Sequence, residues 1–152
     1  MIRILFAVLV VLSFSACKGS SIQRVLQPRQ EVAVEDSSGA RVYFLRSSQA
    51  FGRRRMLRVL ENEREIGRIA QGRYLCWETT PSRKLITAVF ERRPIDGGDI
   101  TGVLDLSCEP GQVYYCVAEQ AMNDKGAPKL RTLSAAEGRA LVEKQRPAKV
   151  DL

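Results

Sequence analysis

The stretch "GVLDLSCEPGQVYYCVAE" (Gly102 to Glu119) holds two runs of mostly apolar residues on either side of "EPGQ". Pro110 presets φ for a turn and Gly111 accepts a positive φ without steric cost, so the stretch reads as strand, turn, strand. The same rhythm continues upstream. "ARVYFLR" (Ala40 to Arg46) is β-branched and aromatic between Ser- and Gly-rich flanks, the pattern of a strand buried on both faces. "RRMLRVLEN" alternates, which puts Leu57 and Val59 on one side and Arg58 on the other. "ENEREIG" makes a tight connection into "EIGRIAQG". "RYLCWET" and "KLITAVFE" follow, with "TPSR" as a turn between them. Short strands spaced about ten residues apart describe a β-meander. The expected fold is mainly β, a small antiparallel β-sandwich of about seven to eight short strands with one C-terminal helix.

The helix is read from "TLSAAEGRALVEKQRP". Ser134 and Glu137 stand in the S-x-x-E spacing of a capping box. Leu133, Leu141 and Val142 supply an apolar side, and Pro147 stops the run. A helix over roughly Ala135 to Gln145 is expected to pack across the sheet.

With 152 residues, the chain suits one domain. Lys and Arg outnumber Asp and Glu by 24 to 17, a basic balance that suits anionic surfaces and equally a solvated face with no particular partner. Histidine is absent. That removes the commonest general base and transition-metal ligand, and with them Ser–His and Cys–His nucleophiles.

The N-terminus has its own logic. "MIR" is a short positive start, and "ILFAVLVVLSFSA" (Ile4 to Ala16) is an apolar run that ends in small residues just before Cys17. It falls short of the about 20 residues that span a bilayer and suits the apolar region of a secretory signal. Small-small-Cys after such a run resembles the lipobox of bacterial lipoproteins, with Phe14 where Leu is more frequent. The resemblance implies cleavage before Cys17, a diacylglyceryl group on its thiol and an acylated new N-terminus. Each buried CH₂ contributes about 0.8 kcal/mol, so two or more chains hold a protein stably. Cys17 is therefore expected to anchor the chain to the membrane. Lys18 stands where an Asp would favour inner-membrane retention, so the outer membrane, facing the periplasm, is the expected location. Loss of the first 16 residues removes Arg3 alone among the charges and leaves 23 basic against 17 acidic, a net +6. The expected organisation is a signal over 1–16, a lipidated Cys and tether over 17–39, a β domain with its helix over 40–146 and a tail over 147–152. Within the tether, "RVLQ" and "EVAVE" are candidates for short edge strands.

"ARVYFLRSSQAFG", "VLENEREIGRI", "GRYLCWETTPSRK", "LDLSCEPGQVYY" and "SAAEGRALVEK" together resemble a bacterial envelope family of lipoproteins that carry a PEGA-like β-sandwich domain of unknown function. Its pattern opens on a strand ending Y-x-x-R, here Tyr43 and Arg46, then a short hairpin, here "NEREIG". The family's P-G-x-H turn is "PSRK" here, without the Gly or the His. The resemblance covers about Ala40 to Lys144 and implies a fold and a compartment, not an activity.

Four residue groups bear on chemistry. Besides Cys17 the chain has Cys76, Cys108 and Cys116. An oxidising compartment favours a disulfide and leaves one thiol over. A hairpin at "EPGQ" would pair Cys108 with Val113 and leave Cys116 out of register. That makes Cys76 with Cys116 the first candidate and Cys76 with Cys108 the second. The alternative is three small buried hydrophobes. No metal or other cofactor is expected, since three dispersed thiols without a fourth ligand do not build a zinc site. Arg53, Arg54, Arg55 and Arg58 form a basic cluster beside Phe51. It is a candidate anion-binding site for lipid or polysaccharide phosphates, or a charged loop that discourages edge pairing. Nucleic acid is not an expected partner, because no stacking platform accompanies the arginines. The aromatic residues on strands suit a packed core or, if exposed in a row, a sugar surface, with Trp77 a candidate for half exposure. Asp96, Asp99 and Asp105 are read as a polar turn, lacking the spacing of a Ca²⁺ loop.

No catalytic residue is assigned. The expected function is a non-catalytic, membrane-anchored protein that binds or positions another envelope protein or a cell-wall polymer. The alternative is an anionic-lipid or lipopolysaccharide binder using the arginine cluster.

Overall fold

The computed structural model describes residues 24–25 (backbone only), 38–47, 55–91, 101–119 and 128–148. Ten strands and one helix lie among them: β1 (Arg24–Val25), β2 (Ala40–Arg46), β3 (Leu57–Glu61), β4 (Arg64–Ile69), β5 (Arg73–Thr79), β6 (Arg83–Phe90), β7 (Thr101–Ser107), β8 (Val113–Glu119), β9 (Lys129–Leu133), α1 (Ala135–Lys144) and β10 (Arg146–Pro147). They form two sheets. One has the order β1-β5-β2-β8-β9, with β10 also on β5, and the other has the order β4-β3-β6-β7.

The mainly β expectation and the sandwich both hold. Alternation does the work: Val42 and Phe44, Leu75 and Trp77, Cys116 and Ala118 face inward from the larger sheet. Leu57 and Val59, Ile86 and Ala88, and Leu106 meet them from the smaller one, in a single apolar cluster. β2 is buried along nearly its whole length, as its composition predicts. The reason is that its outer face is covered too. Leu45, Tyr115 and Val117 on that side pack with Leu133, Leu141 and Val142, so α1 forms a third layer.

The meander holds only in part. β3–β4 is a tight hairpin, turning through Asn62 and Glu63 with φ of 46° and 68°, and the successive strands β6–β7 and β8–β9 are antiparallel neighbours too. The "TPSR" and "EPGQ" turns each carry the chain from one sheet to the other, because β5 and β6, and likewise β7 and β8, belong to different sheets. β8 then lies parallel to β2, Arg41 opposite Val113 through Arg46 opposite Ala118. The turn chemistry at Pro110–Gly111 is as expected, with Gly111 at φ 71° and the Gln112 N–H on the Glu109 carbonyl. The inference from turn to hairpin is what fails, since a tight turn also serves to cross between layers.

β1 falls within "RVLQ", so the sheet takes in Arg24–Val25 from the segment read as tether; "EVAVE" lies outside the described residues. At the other end, Pro147 stops the helix but also pairs beside Tyr74 in β10. The capping box is complete. The Ser134 hydroxyl accepts from the Glu137 N–H, and the Glu137 carboxylate accepts from the Ser134 N–H at 3.1 Å.

Gly138 faces Tyr115, and a Cβ there would sit 2.1 Å from Tyr115 Cγ. On a solvated helix Gly→Ala gains about 1 kcal/mol of helix propensity. Here the sign reverses. Gly138→Ala forces α1 off the sheet and is expected to destabilise by about 1–3 kcal/mol, the range for overpacking. Urea unfolding of the variant measures it, and a gain in stability would refute the packing of α1.

Candidate functional site

At the turn end of the sandwich the inner face turns polar. Lys84 shares its phase with Ile86 and Ala88 on β6, and Glu61 shares its phase with Leu57 and Val59 on β3, so both point into the core. Their side chains are only 8% and 11% exposed, and Lys84 Nζ lies 3.3 Å from Glu61 Oε1. Lys84 also donates to Thr80 Oγ1 at 3.5 Å and lies 5.9 Å from the Trp77 ring centroid. Trp77 is 1% exposed, so the half-exposed tryptophan expected from its neighbours is a fully buried one: its phase is that of Leu75, on the core side. Cys108 sits against this cluster. Burial raises its thiol above the ordinary range, while Lys84 pulls it down and Glu61 pushes it up.

The three cysteines are free thiols and all are buried. Cys116 is pushed up to about 12 by burial and by Cys108. Cys76 is pushed up to about 11, again chiefly by burial. These are protonated, unactivated thiols. The candidate pairings of Cys76 with Cys116 or Cys108 do not suit this fold. Cys76 lies between the inward-facing Leu75 and Trp77 and opposite Tyr43, so it points to the outer face of the larger sheet. Cys116 and Cys108 belong to the inner cluster. A bond from Cys76 would have to pass through the sheet.

On that outer face Arg41 is buried and bonds Glu78 through Nε at 3.1 Å and through Nη2. Tyr43 stacks on Tyr115 with centroids 5.2 Å apart and tilts against Tyr74 at 5.9 Å. The aromatic residues are thus largely packing, not an exposed row. Burial raises the Tyr43 hydroxyl to about 12. At the far end of β2, Arg46 is fully buried and lies 4.9 Å above the Phe90 ring. It donates to the Ile69 carbonyl at 3.1 Å and to the Arg55 carbonyl, and burial lowers its pKa.

Of the basic cluster, Arg53 and Arg54 lie outside the described residues, as does Cys17. Arg55 is exposed. Arg58 points to the outer face of the smaller sheet, where its Nε holds Glu65 at 2.9 Å, and Arg68 holds the other carboxylate oxygen at 2.7 Å. Arg68 and Arg58 keep the Glu65 carboxyl below its ordinary range. Arg58 is therefore committed to a carboxylate of its own chain. Asp96 and Asp99 lie outside the described residues, and Asp105 is an exposed partner of Arg83.

Sequence reasoning missed the buried charges Arg41, Arg46, Glu61 and Lys84. The signal was present: Lys84 stands in the inward phase of "KLITAVF", and the two arginines belong to a run read as buried on both faces. Among the described residues, no group of three or more His, Cys, Asp or Glu could hold a metal ion. Nor is any described helix long and apolar enough to cross a membrane. No protein-family model matches the chain, and no curated protein or solved structure is detectably similar to it.

Proposed function

We propose that this chain is a non-catalytic lipoprotein of the bacterial envelope, anchored through Cys17 and using its β-sandwich to bind or position another envelope protein or a cell-wall polymer. The observation that carries the reading is the N-terminal pattern: a short basic start, an apolar run too short to span, and Ser15-Ala16-Cys17 at its end. The character of the domain supports it. Its buried charges are engaged with one another, with carbonyls or with rings, and its described thiols are raised, which suits a scaffold better than a nucleophile.

The test is metabolic labelling with a fatty-acid analogue followed by membrane fractionation. The native chain is expected to carry the label and sediment with membranes, and Cys17→Ser to lose both. Label retained on Cys17→Ser would sink the anchor. For the partner, crosslinking in cells should yield an adduct with one envelope component from the native chain only.

A second reading draws on the consecutive Arg53, Arg54 and Arg55 ahead of β3. There the partner is an anionic lipid or lipopolysaccharide. Exposed charge contacts are screened over about 8–10 Å at 0.1–0.15 M salt, so that binding would weaken steeply with salt and with removal of the three charges.

A further inference from the structure

Cys108 and Cys116 flank the turn that carries the chain from the smaller sheet to the larger. Cys108 leaves β7 with its N–H still on the Ser82 carbonyl at 3.0 Å, so it extends the β6–β7 ladder by one residue. Cys116 takes the inward phase of β8 with Ala118, while Tyr115 and Val117 face the helix. The two thiols therefore enter one apolar cluster from facing sheets, 5% and 1% exposed by residue. Trp77 belongs to the same cluster. A cysteine from each sheet, closed over a buried tryptophan, is how immunoglobulin sandwiches are tied through their cores.

We propose that Cys108 and Cys116 join in an inter-sheet disulfide when the chain folds under oxidising conditions, and that Cys76 stays a thiol on the other side of the larger sheet. The inference rests on the envelope reading only for where the oxidant is met. The oxidant is a disulfide, small or protein-borne. The thiolate of one cysteine attacks it, releases a first thiol and forms a mixed disulfide. The other cysteine then displaces the second thiol. Two protons and two electrons leave the pair, and the oxidant departs as two thiols. Burial sets the timing. The bond closes while the sheets are still docking, and the finished sandwich then shields it from reductants.

The test uses the full-length chain carrying Cys17→Ser, refolded from the reduced, unfolded state in a mixture of glutathione and its disulfide. A second sample of the native chain is isolated from the envelope. Each is unfolded in an alkylating agent without reductant, and its peptides are mapped by mass. The expected result is alkylation at Cys76 alone among the three, and a peptide spanning Cys108 to Cys116 that is lighter by two hydrogens. Cys76→Ala should keep the bridge, and Cys108→Ala should leave Cys116 open to alkylation. Alkylation of both Cys108 and Cys116 after refolding would overturn the proposal, as would any bridge that includes Cys76. A bridge formed on refolding but missing from the cellular sample would uphold the pairing and count against the envelope reading instead.

Discussion

Lys84→Met is expected to cost the domain about 3–5 kcal/mol, the range for breaking a buried ion pair by removing one partner. The substitution keeps most of the side chain's volume but takes the cation from Glu61, whose carboxylate points into the sandwich with a side chain only 11% exposed. Asn62 Nδ2, at 3.5 Å, is a weaker donor beside it. Contact with the Trp77 ring goes as well, worth about 0.5–2 kcal/mol. The companion variant decides the cause. Lys84→Met together with Glu61→Leu leaves no buried charge, and such swaps are often neutral or stabilising. Urea midpoints of the two singles and the double close the cycle. A strongly coupled result, with the double far more stable than either single, is expected. Additive losses would mean that the pair is a packing feature and not an electrostatic one.

Alkali should unfold the reduced protein. Burial raises Cys76 from 9.0 to about 11 and Cys116 from 9.0 to about 12. In the unfolded chain these thiols deprotonate near pH 9, whereas in the folded chain they hold their protons. Between those values the unfolded state binds fewer protons, so stability falls as pH rises. The contribution is fully present below pH 9 and is lost progressively up to about pH 12. At about 1.4 kcal/mol per unit, the two thiols together account for several kcal/mol, a large part of a typical domain's stability. The check is the urea midpoint of the reduced protein from pH 8 upward. Cys116→Ala should start less stable but lose less with pH. An unchanged slope would mean that Cys116 is not buried as described.

Much of this architecture was legible in the sequence, and the parts that were not share a physical cause. Alternation at Leu57, Arg58 and Val59, the cap at Ser134 and Glu137, and the turn at Pro110–Gly111 are local patterns, and each is found where it was read. What a local pattern does not carry is partner choice. "EPGQ" specifies a reversal, yet a reversal joins two strands of one sheet or crosses to the next layer equally well. From that single ambiguity came a meander order in place of the parallel β2–β8 pair. Trp77 followed the same course. Its neighbours Cys76 and Glu78 suggested an exposed setting, but alternation with Leu75 puts it in the core. The site was less legible than the fold. Lys84 and Glu61 lie far apart in sequence and come together only because β3 pairs with β6, Glu61 beside Ile86.

The place of β2 has a mechanical consequence. It is antiparallel to β5 over Ala40–Leu45 and parallel to β8 over Arg41–Arg46, so it is gripped along both edges. If the chain is held by its N-terminus, a pull reaches the two-residue β1 first and then runs along the axis of β2. β1, with a ladder of only two residue pairs on β5, would give way first. β2 would not, because its two ladders must shear together. A load on the leash would thus lengthen the leash before it troubled the domain.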